Sequence, residues 1–416
     1  KSTQEEAGTQ LGENSSRTPE QGLNASFPLK GRSFLLLQGP QSGFFKLLAR
    51  DLSVAGAAVH KVNFCGGDVF LWGLFNKAIN TGNLYEWPAW IGSLYRELGI
   101  TDICVYGDWR PLHWEAIRLA IVRGIRVWVF EEGYLRAGFS TLEENGVNGR
   151  SSLPTSAHEI HELAQTLKDP KPAAIDNDIR DKVWKAILHH TGNFFLWPMF
   201  RHYRTHRPTN IFFRAHRYFA EVFDEEKGAK LSEEKLHNFF KSKSPYFFFP
   251  LQLVSDSQIQ LYSPYVRVQE AIADVLASFA RSAMPGTRLL IKNHPLDNGL
   301  IRYGDFIEGF ARELGIEERV TFVEDGNTAK MIAASRGVVL VNSLRIMALE
   351  AGKPVFCLGK SIYNLPGMTQ SYPFSTLDDF WRAPQRPVMT LFNDFKRVLA
   401  DRALIRGNFY TPKAMR

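Results

Sequence analysis

Two stretches of this chain alternate short apolar runs with segments of helical apolar spacing, and a stretch without that rhythm separates them. The first begins at Phe34–Gln38 (FLLLQ), turns at Gly39-Pro40-Gln41-Ser42-Gly43, and continues into Phe44–Ala55, whose Phe44, Phe45, Leu47, Leu48 and Leu52 have helical spacing. Ala58–Phe64 is the next apolar run. Strand, turn, helix and strand in this order open a βαβ unit. The pattern predicts further helices over Trp87–Leu98 and Pro111–Arg123, and strands over Asp102–Tyr106 and Ile125–Phe130. It resumes at Pro245, with strands expected at Tyr246–Leu253, Arg288–Lys292, Val320–Phe322, Gly337–Val341 and Pro354–Cys357. Such alternation demands parallel sheets covered on both faces, because every crossover lays a helix on the sheet.

The expected fold class is therefore α/β: two Rossmann-like parallel-sheet domains, at 33–150 and 246–372, facing a cleft in the GT-B-like manner. Residues 151–245 carry helical patterns at Ala157–Leu167, Ile179–His190 and Leu231–Lys241 and form an expected helical linking region. Residues 373–416 are an expected C-terminal helical tail, with the end of the chain returning to the first lobe. Residues 1–32 are too polar to bury a core and are expected to be a disordered tail.

Composition narrows the partners. The 416 residues are 44% hydrophobic and 22% charged, as in a soluble globular protein. Net charge is +7 and aromatics reach 13%, which favours an anionic partner: nucleic acid, phosphorylated substrate or anionic membrane. Cys65, Cys104 and Cys357 are far apart, with no CxxC pair, and read as buried small residues in a reducing compartment rather than a zinc site or disulfide framework. No apolar run of about 18 residues predicts a membrane span, and the N-terminal stretch lacks a signal-peptide core. The expected location is cytoplasmic.

In open α/β sheets the chemistry gathers at the carboxyl ends of strands. Strand Ile125–Phe130 runs into Glu131-Glu132-Gly133, and period-2 alternation sends the two carboxylates to different sides, so one should face the cleft as base or nucleophile. Asp102–Tyr106 runs into Gly107-Asp108-Trp109-Arg110, with His113 in the first turn of the next helix. Arg288–Lys292 runs into Asn293-His294-Pro295, where proline biases His294 toward an extended backbone and Lys292 adds charge. Gly337–Val341 runs into Asn342-Ser343, favoured as helix caps and equally suited to phosphate. The polar loop after Pro250 contains Gln252, Ser255, Asp256 and Gln258. Each of these patterns is also compatible with capping or a solvated loop.

Other chemistries lack their motifs. There is no GxxxxGK[ST], no complete GxGxxG, no HExxH and no GxSxG. Asp176-Asn177-Asp178 is a formal DxD that reads better as a helix cap. Arg201–Arg217 holds five Arg, three His and no acid, interleaved with Tyr203, Phe212 and Phe213. That composition suits RNA stacking, an anionic bilayer or a solvated helix face.

The strings LLLQGPQSGFFKLLARDL, NFCGGDVFLW, YGDWRPLHWEA, FEEGYLRAGFSTLEENGVNG, PLQLVSDSQI, IKNHPLDNG and GKPVFCLGKSIYNLPGMT, with VNS before a helix, occur across about 34–372. The chain thereby resembles the capsular polysaccharide β-Kdo transferase family, of the KpsS type. The resemblance implies a retaining glycosyltransferase that moves β-Kdo from CMP-Kdo to lysophosphatidylglycerol, building a capsular polysaccharide linker at the cytoplasmic side of the inner membrane as a peripheral protein. It implies no metal or other cofactor, since CMP-Kdo is the donor substrate. It also implies other capsule assembly proteins as partners, and no nucleic acid.

By that resemblance Glu131-Glu132-Gly133 matches the catalytic acidic motif, and Glu132 is the expected catalytic carboxylate. Arg110 and His113 would orient it or bind the Kdo carboxylate. His294, with Pro295 and Lys292, and Ser343, with Asn342, would hold the CMP phosphate. Gln41, Ser42, Asp108, Arg136, Gln252, Asp256 and Gln258 are the expected substrate contacts. Two positions depart from the family: Leu344-Arg345-Ile346 stand where small residues usually follow the Ser, and Ala137 stands where Pro usually follows Leu135-Arg136. The rival reading is a non-catalytic assembly or export factor binding lipid-linked polysaccharide.

Overall fold

A computed structural model describes residues 29–73, 78–79, 82–135, 138–174, 179–203, 230–253, 262–295, 297, 301–341 and 345–410. The polar N-terminal segment up to residue 28 lies outside them, as does the formal DxD.

Among the described residues the first sheet has seven strands: β1 (Ser33–Leu36), β2 (Ala58–Asn63), β3 (Ala78–Ile79), β4 (Asp102–Tyr106), β5 (Arg126–Glu132), β6 (Phe139–Glu144) and β13 (Leu404–Arg406), in the spatial order β13-β6-β5-β4-β1-β2-β3. The second has six: β7 (Tyr246–Pro250), β8 (Arg288–Lys292), β9 (Val320–Val323), β10 (Gly337–Leu340), β11 (Val355–Cys357) and β12 (Gln370–Ser371), in the order β12-β11-β10-β7-β8-β9. Every pairing in the second sheet is parallel. Its central strands are apolar along their length because helices cover both faces; all five residues of β7 are buried.

The architecture is the expected α/β one, two parallel-type sheets flanked by helices, with one difference. β6 pairs antiparallel with β5, and β13 pairs antiparallel with β6, so one edge of the first sheet is mixed. β6 reads FSTLEE, and its polar residues hide its strand character; Ser140, Thr141 and Glu143 are buried by specific hydrogen bonds rather than by hydrophobicity. β5 also continues past the apolar run, so Glu131 and Glu132 are strand residues, opposite Thr141 and Ser140, rather than a loop that follows the strand. Pro250 closes β7 instead of bending it.

One core extends from Leu35, Val105 and Val129 of the first sheet to Phe248, Leu290 and Leu340 of the second. A second core packs helices Val268–Ser282 and Leu377–Arg382 on the other face of the second sheet, where Trp381 stands edge-on to Phe247 and Phe279. Full burial of side chains of this size is worth about 1.5–3 kcal/mol each. Helix Met389–Ala403 adds Phe392, Phe395 and Leu399 to the first core and then delivers β13 to the first sheet.

In each sheet the chain order reverses beside one strand, between β1 and β4 in the first and between β7 and β10 in the second. The carboxyl ends of those strands and their neighbours carry the polar residues singled out from sequence.

Candidate active site

β4 is followed by Gly107, whose φ of +73° favours a residue without a side chain. A Cβ there would also lie 3.4 Å from Glu131 Oε2 and 3.0 Å from Trp109 Nε1. The turn drops Asp108 into the interior, 1% exposed. Tyr262 OH donates to both Asp108 oxygens at 3.1 Å, the Val147 amide donates at 3.3 Å, and Arg150 Nη1 lies at 3.4 Å. Tyr262 precedes the second-lobe helix Val268–Ser282, so Asp108 is the anchor of a clasp between lobes. Burial raises its carboxyl pKa against the pull of Arg150. A second clasp runs from Tyr363 OH to the Tyr134 carbonyl at 3.2 Å. Tyr134 OH in turn donates to Glu143 at 2.7 Å, and Ser151 Oγ donates to the other Glu143 oxygen.

The two adjacent carboxylates diverge as alternation requires. Glu132 is exposed and accepts from Tyr106 OH at 2.9 Å and Tyr410 OH at 3.4 Å. Glu131 points the other way, toward Asp108, Arg110 and Tyr262. Its Oε1 accepts the Glu132 amide at 3.0 Å. Burial pushes its carboxyl up to about 7; the charges of Glu132 and Asp108 push the same way, while the Glu132 amide and Arg110 oppose. A carboxyl poised there exchanges a proton at neutral pH.

Arg110 Nη1 donates to Gln38 Oε1 at 2.9 Å, and its guanidinium lies 5.5 Å from the centre of the Tyr106 ring. Its Nε is buried with no hydrogen-bond partner among the described residues, and none of their carboxylates pairs with it. A cation with an unused donor beside a protonatable carboxyl suits an anionic substrate group. His113 is buried in the first turn of helix Pro111–Val122, its Nδ1 2.8 Å from the Gly107 carbonyl oxygen. A carbonyl only accepts, so Nδ1 carries the proton and holds the turn beneath Glu131.

Gln38 is the residue that sequence reasoning passed over, although it closes the buried run FLLLQ as the other site residues close theirs. Its amide donates to both Asp68 oxygens at 3.3 Å, to Tyr203 OH at 3.0 Å and toward Cys65 Sγ at 3.6 Å. Cys65, Asp68 and His189 are all buried, with potential ligand atoms within 4.8 Å of one another. The Gln38 amide and the Phe64 amide, which donates to Asp68 at 2.9 Å, account for the buried carboxylate as part of a hydrogen-bonded network. Burial raises the Cys65 thiol well above its usual range, so it is no nucleophile. All three cysteines are free and buried. Gln41 is half-buried at the end of β1, and Ser42 is buried with its Oγ accepting the Phe44 amide at 3.2 Å.

The second lobe contributes Lys292, 3% exposed, whose Nζ donates to the Asn293 carbonyl at 3.2 Å and lies 3.9 Å from Asp325. Burial lowers its pKa against the pull of Asp325 and Glu324. The His294 amide donates to Asn293 Oδ1 at 2.8 Å, and Asn293 Nδ2 donates to Glu324 at 2.7 Å, which fixes the half-buried His294 at the end of β8. Pro295 is exposed beside it, and Gln252 is buried at the end of the neighbouring β7. Arg136, Asp256, Gln258, Asn342 and Ser343 lie outside the described residues.

The structure therefore brings Asp108, Arg110, His113 and Glu131 together at the first switch point and places Lys292, His294 and Gln252 at the second. It sets Glu132 on the other side of β5.

A model of the family described as capsule polysaccharide biosynthesis protein matches residues 101–410. The capsule polysaccharide export protein KpsS of Escherichia coli is 32% identical over 397 residues, covering 94% of this chain and all of that protein. The capsule polysaccharide modification protein LipB of Neisseria meningitidis serogroup B is 31% identical, covering 91% of this chain and 92% of that one. Among solved structures, a glycosyltransferase from Rickettsia africae aligns over 92% of this chain and 93% of its own at 11% identity, with a TM-score of 0.32. The UDP complex of MnaA from S. aureus aligns over 92% and 94% at 8% identity, with a TM-score of 0.31. By the extent of the family match and of the two relatives, this chain belongs to the capsule polysaccharide biosynthesis protein family.

Proposed function

We propose that the protein is a retaining glycosyltransferase that moves β-Kdo from CMP-Kdo to lysophosphatidylglycerol in capsular linker biosynthesis, working as a peripheral protein on the cytoplasmic face of the inner membrane. The observation that carries this reading is Glu131, a carboxyl poised at about 7, standing near Arg110, an unpaired guanidinium with a donor to spare. Arg110 holds the Kdo carboxylate. Glu131, rather than Glu132, supplies the reacting carboxylate, as base toward the acceptor hydroxyl or as nucleophile toward the sugar. His113 positions it through Gly107. Lys292 and His294 take up charge on the CMP phosphate as it leaves, a role that the family motif also gives to Asn342 and Ser343. The activated sugar carries its own leaving group, so the scheme calls on no resident cofactor.

The test is incubation of the protein with CMP-Kdo and lysophosphatidylglycerol, reading CMP release, lipid mass and anomeric configuration. Release of CMP with a β-linked Kdo-lipid is expected. No CMP release and no product, with retained binding of lipid-linked polysaccharide, would replace this reading with the assembly or export role that the name of the E. coli relative describes.

A further inference from the structure

Helix Ile179–Phe195 lies against helix Gly66–Trp72 through an interface made of glycine. A Cβ on Gly66 would meet the Gly192 carbonyl oxygen at 2.0 Å, and one on Gly67 would meet His189 Nδ1 at 2.1 Å. The Gly67 amide donates to Asn193 Oδ1 at 2.7 Å. His189, Gly192 and Asn193 thus define the inward face of the longer helix. At about 100° per residue, Val183, Trp184, Ile187, Phe194 and Phe195 fall in one arc of roughly 120° on the opposite side. Each is between 48% and 67% exposed, and the turn that follows adds Trp197 at 65% and Met199 at 46%.

A solvated helix face carries charge there. Apolar side chains exposed singly need no explanation, but seven of them within residues 183–199, five on one helix arc, do. The charge pattern of the set and of the sequence that follows it argues for what covers it. From Val183 to Arg217 the sequence contains six Lys and Arg and no Asp or Glu. Arg201 and His202 are exposed directly beside Trp197 and Met199. Tryptophan and phenylalanine flanked by cations and free of acids have the composition of a surface that sits among anionic headgroups.

We propose that this face, Val183, Trp184, Ile187, Phe194, Phe195, Trp197 and Met199, embeds in the headgroup layer of an anionic bilayer. The inward face of the same helix carries His189 to the Cys65 and Asp68 network, which Gln38 joins to Arg110. The docking face and the candidate active site are therefore the two sides of one two-helix layer, so a bilayer engaged on the outside presents lipid next to the chemistry. The inference rests on the lipid-acceptor reading for its purpose and on exposure and charge for its geometry.

The test is co-sedimentation of the full-length protein with phosphatidylglycerol–phosphatidylcholine vesicles, without donor or acceptor. Binding with a blue shift of tryptophan emission is expected, together with weakening at high salt. The variant carrying Trp184→Ser, Phe195→Ser and Trp197→Ser should lose at least about tenfold in vesicle affinity. It should keep the wild-type melting temperature and its rate with a short-chain, water-soluble acceptor, because these side chains face away from the core. Vesicle binding by that variant equal to wild type would overturn the proposal. So would absence of vesicle binding by the wild type, or a wild-type dimer in solution that the substitutions dissociate. Vesicle binding lost in the variant, combined with no Kdo transfer by either protein, would uphold the docking face and remove the proposed reaction.

Discussion

Replacing Glu131 with Gln separates the chemistry of this carboxyl from its cost. The change keeps the side chain's shape and the oxygen that accepts the Glu132 amide, and removes the ionisable proton. The carboxyl pKa rises from its ordinary 4.5 to about 7 on folding. At 1.36 kcal/mol per unit, that displacement costs the folded state about 3 kcal/mol once the group is ionised, an upper figure because the side chain keeps a part-exposed rim. Between pH 4.5 and pH 7 the folded chain binds more protons than the unfolded one, so wild-type stability falls through this window and levels off above it. Gln does not titrate. Glu131→Gln should therefore match wild type near pH 4 and exceed it in urea denaturation at pH 8 by up to about 3 kcal/mol. Transfer should fall in the opposite sense, by about 10²–10⁴-fold. Base and nucleophile both work ionised, so the wild-type rate should climb through pH 7 and the residual rate of the variant should not. Glu132→Gln, on the Tyr106 and Tyr410 side, should retain transfer. Full activity in Glu131→Gln, or no gain in stability at pH 8, would refute the assignment.

Tyr262→Phe removes the hydroxyl that ties the second lobe to Asp108, at a cost of about 1.5–3 kcal/mol for a buried bond to a carboxylate; faster proteolysis between the lobes and a raised donor KM should follow, and unchanged values would dismiss the clasp. Gly66→Ala places a methyl 2.0 Å from the Gly192 carbonyl oxygen, whereas nothing lies within 4 Å of a Cβ on Gly43. The melting temperature should drop for Gly66→Ala and hold for Gly43→Ala, since backbone cannot yield as a flexible side chain can.

The legible parts of the molecule are those in which local pattern and long-range packing agree. Runs such as FLLLQ, YFFFPLQ and RLLIK are buried almost throughout, and the polar residue that ends each run stands by a switch point because the sheet itself stops there. β6 was not legible, because Glu143 is buried by Tyr134 and Ser151 rather than by an apolar pattern. Nor was β13, whose partner residues lie more than 260 positions earlier in the chain. Alternation fixed the divergence of Glu131 and Glu132 but not its sense. That sense follows from the pairing of β5 with β6 and from the bare Gly107 against which Glu131 packs. Asp68 and His189 carry no local signal at all, since what joins them is the contact of two helices through glycine.

Five carboxylates on or beside the first sheet show how environment selects one for chemistry. Asp102 is buried, yet Arg32, Thr101 and Trp128 outweigh that burial and hold its pKa below the ordinary value, which makes it a structural anion. Asp108 has its oxygens taken by Tyr262, Val147 and Arg150, and Glu143 has both taken by Tyr134 and Ser151. Glu132 is exposed and bonded to two tyrosines. Glu131, half-buried, alone of these combines a strongly desolvated carboxyl with an oxygen, Oε2, that accepts no hydrogen bond among the described residues, and it does so near a guanidinium with an unused Nε. A charge left this uncompensated lowers stability, and the fold could remove it with one more donor, as it does at Asp102. The missing donor is the place a substrate hydroxyl would fill, and the spare cation beside it is the place for that substrate's own negative charge.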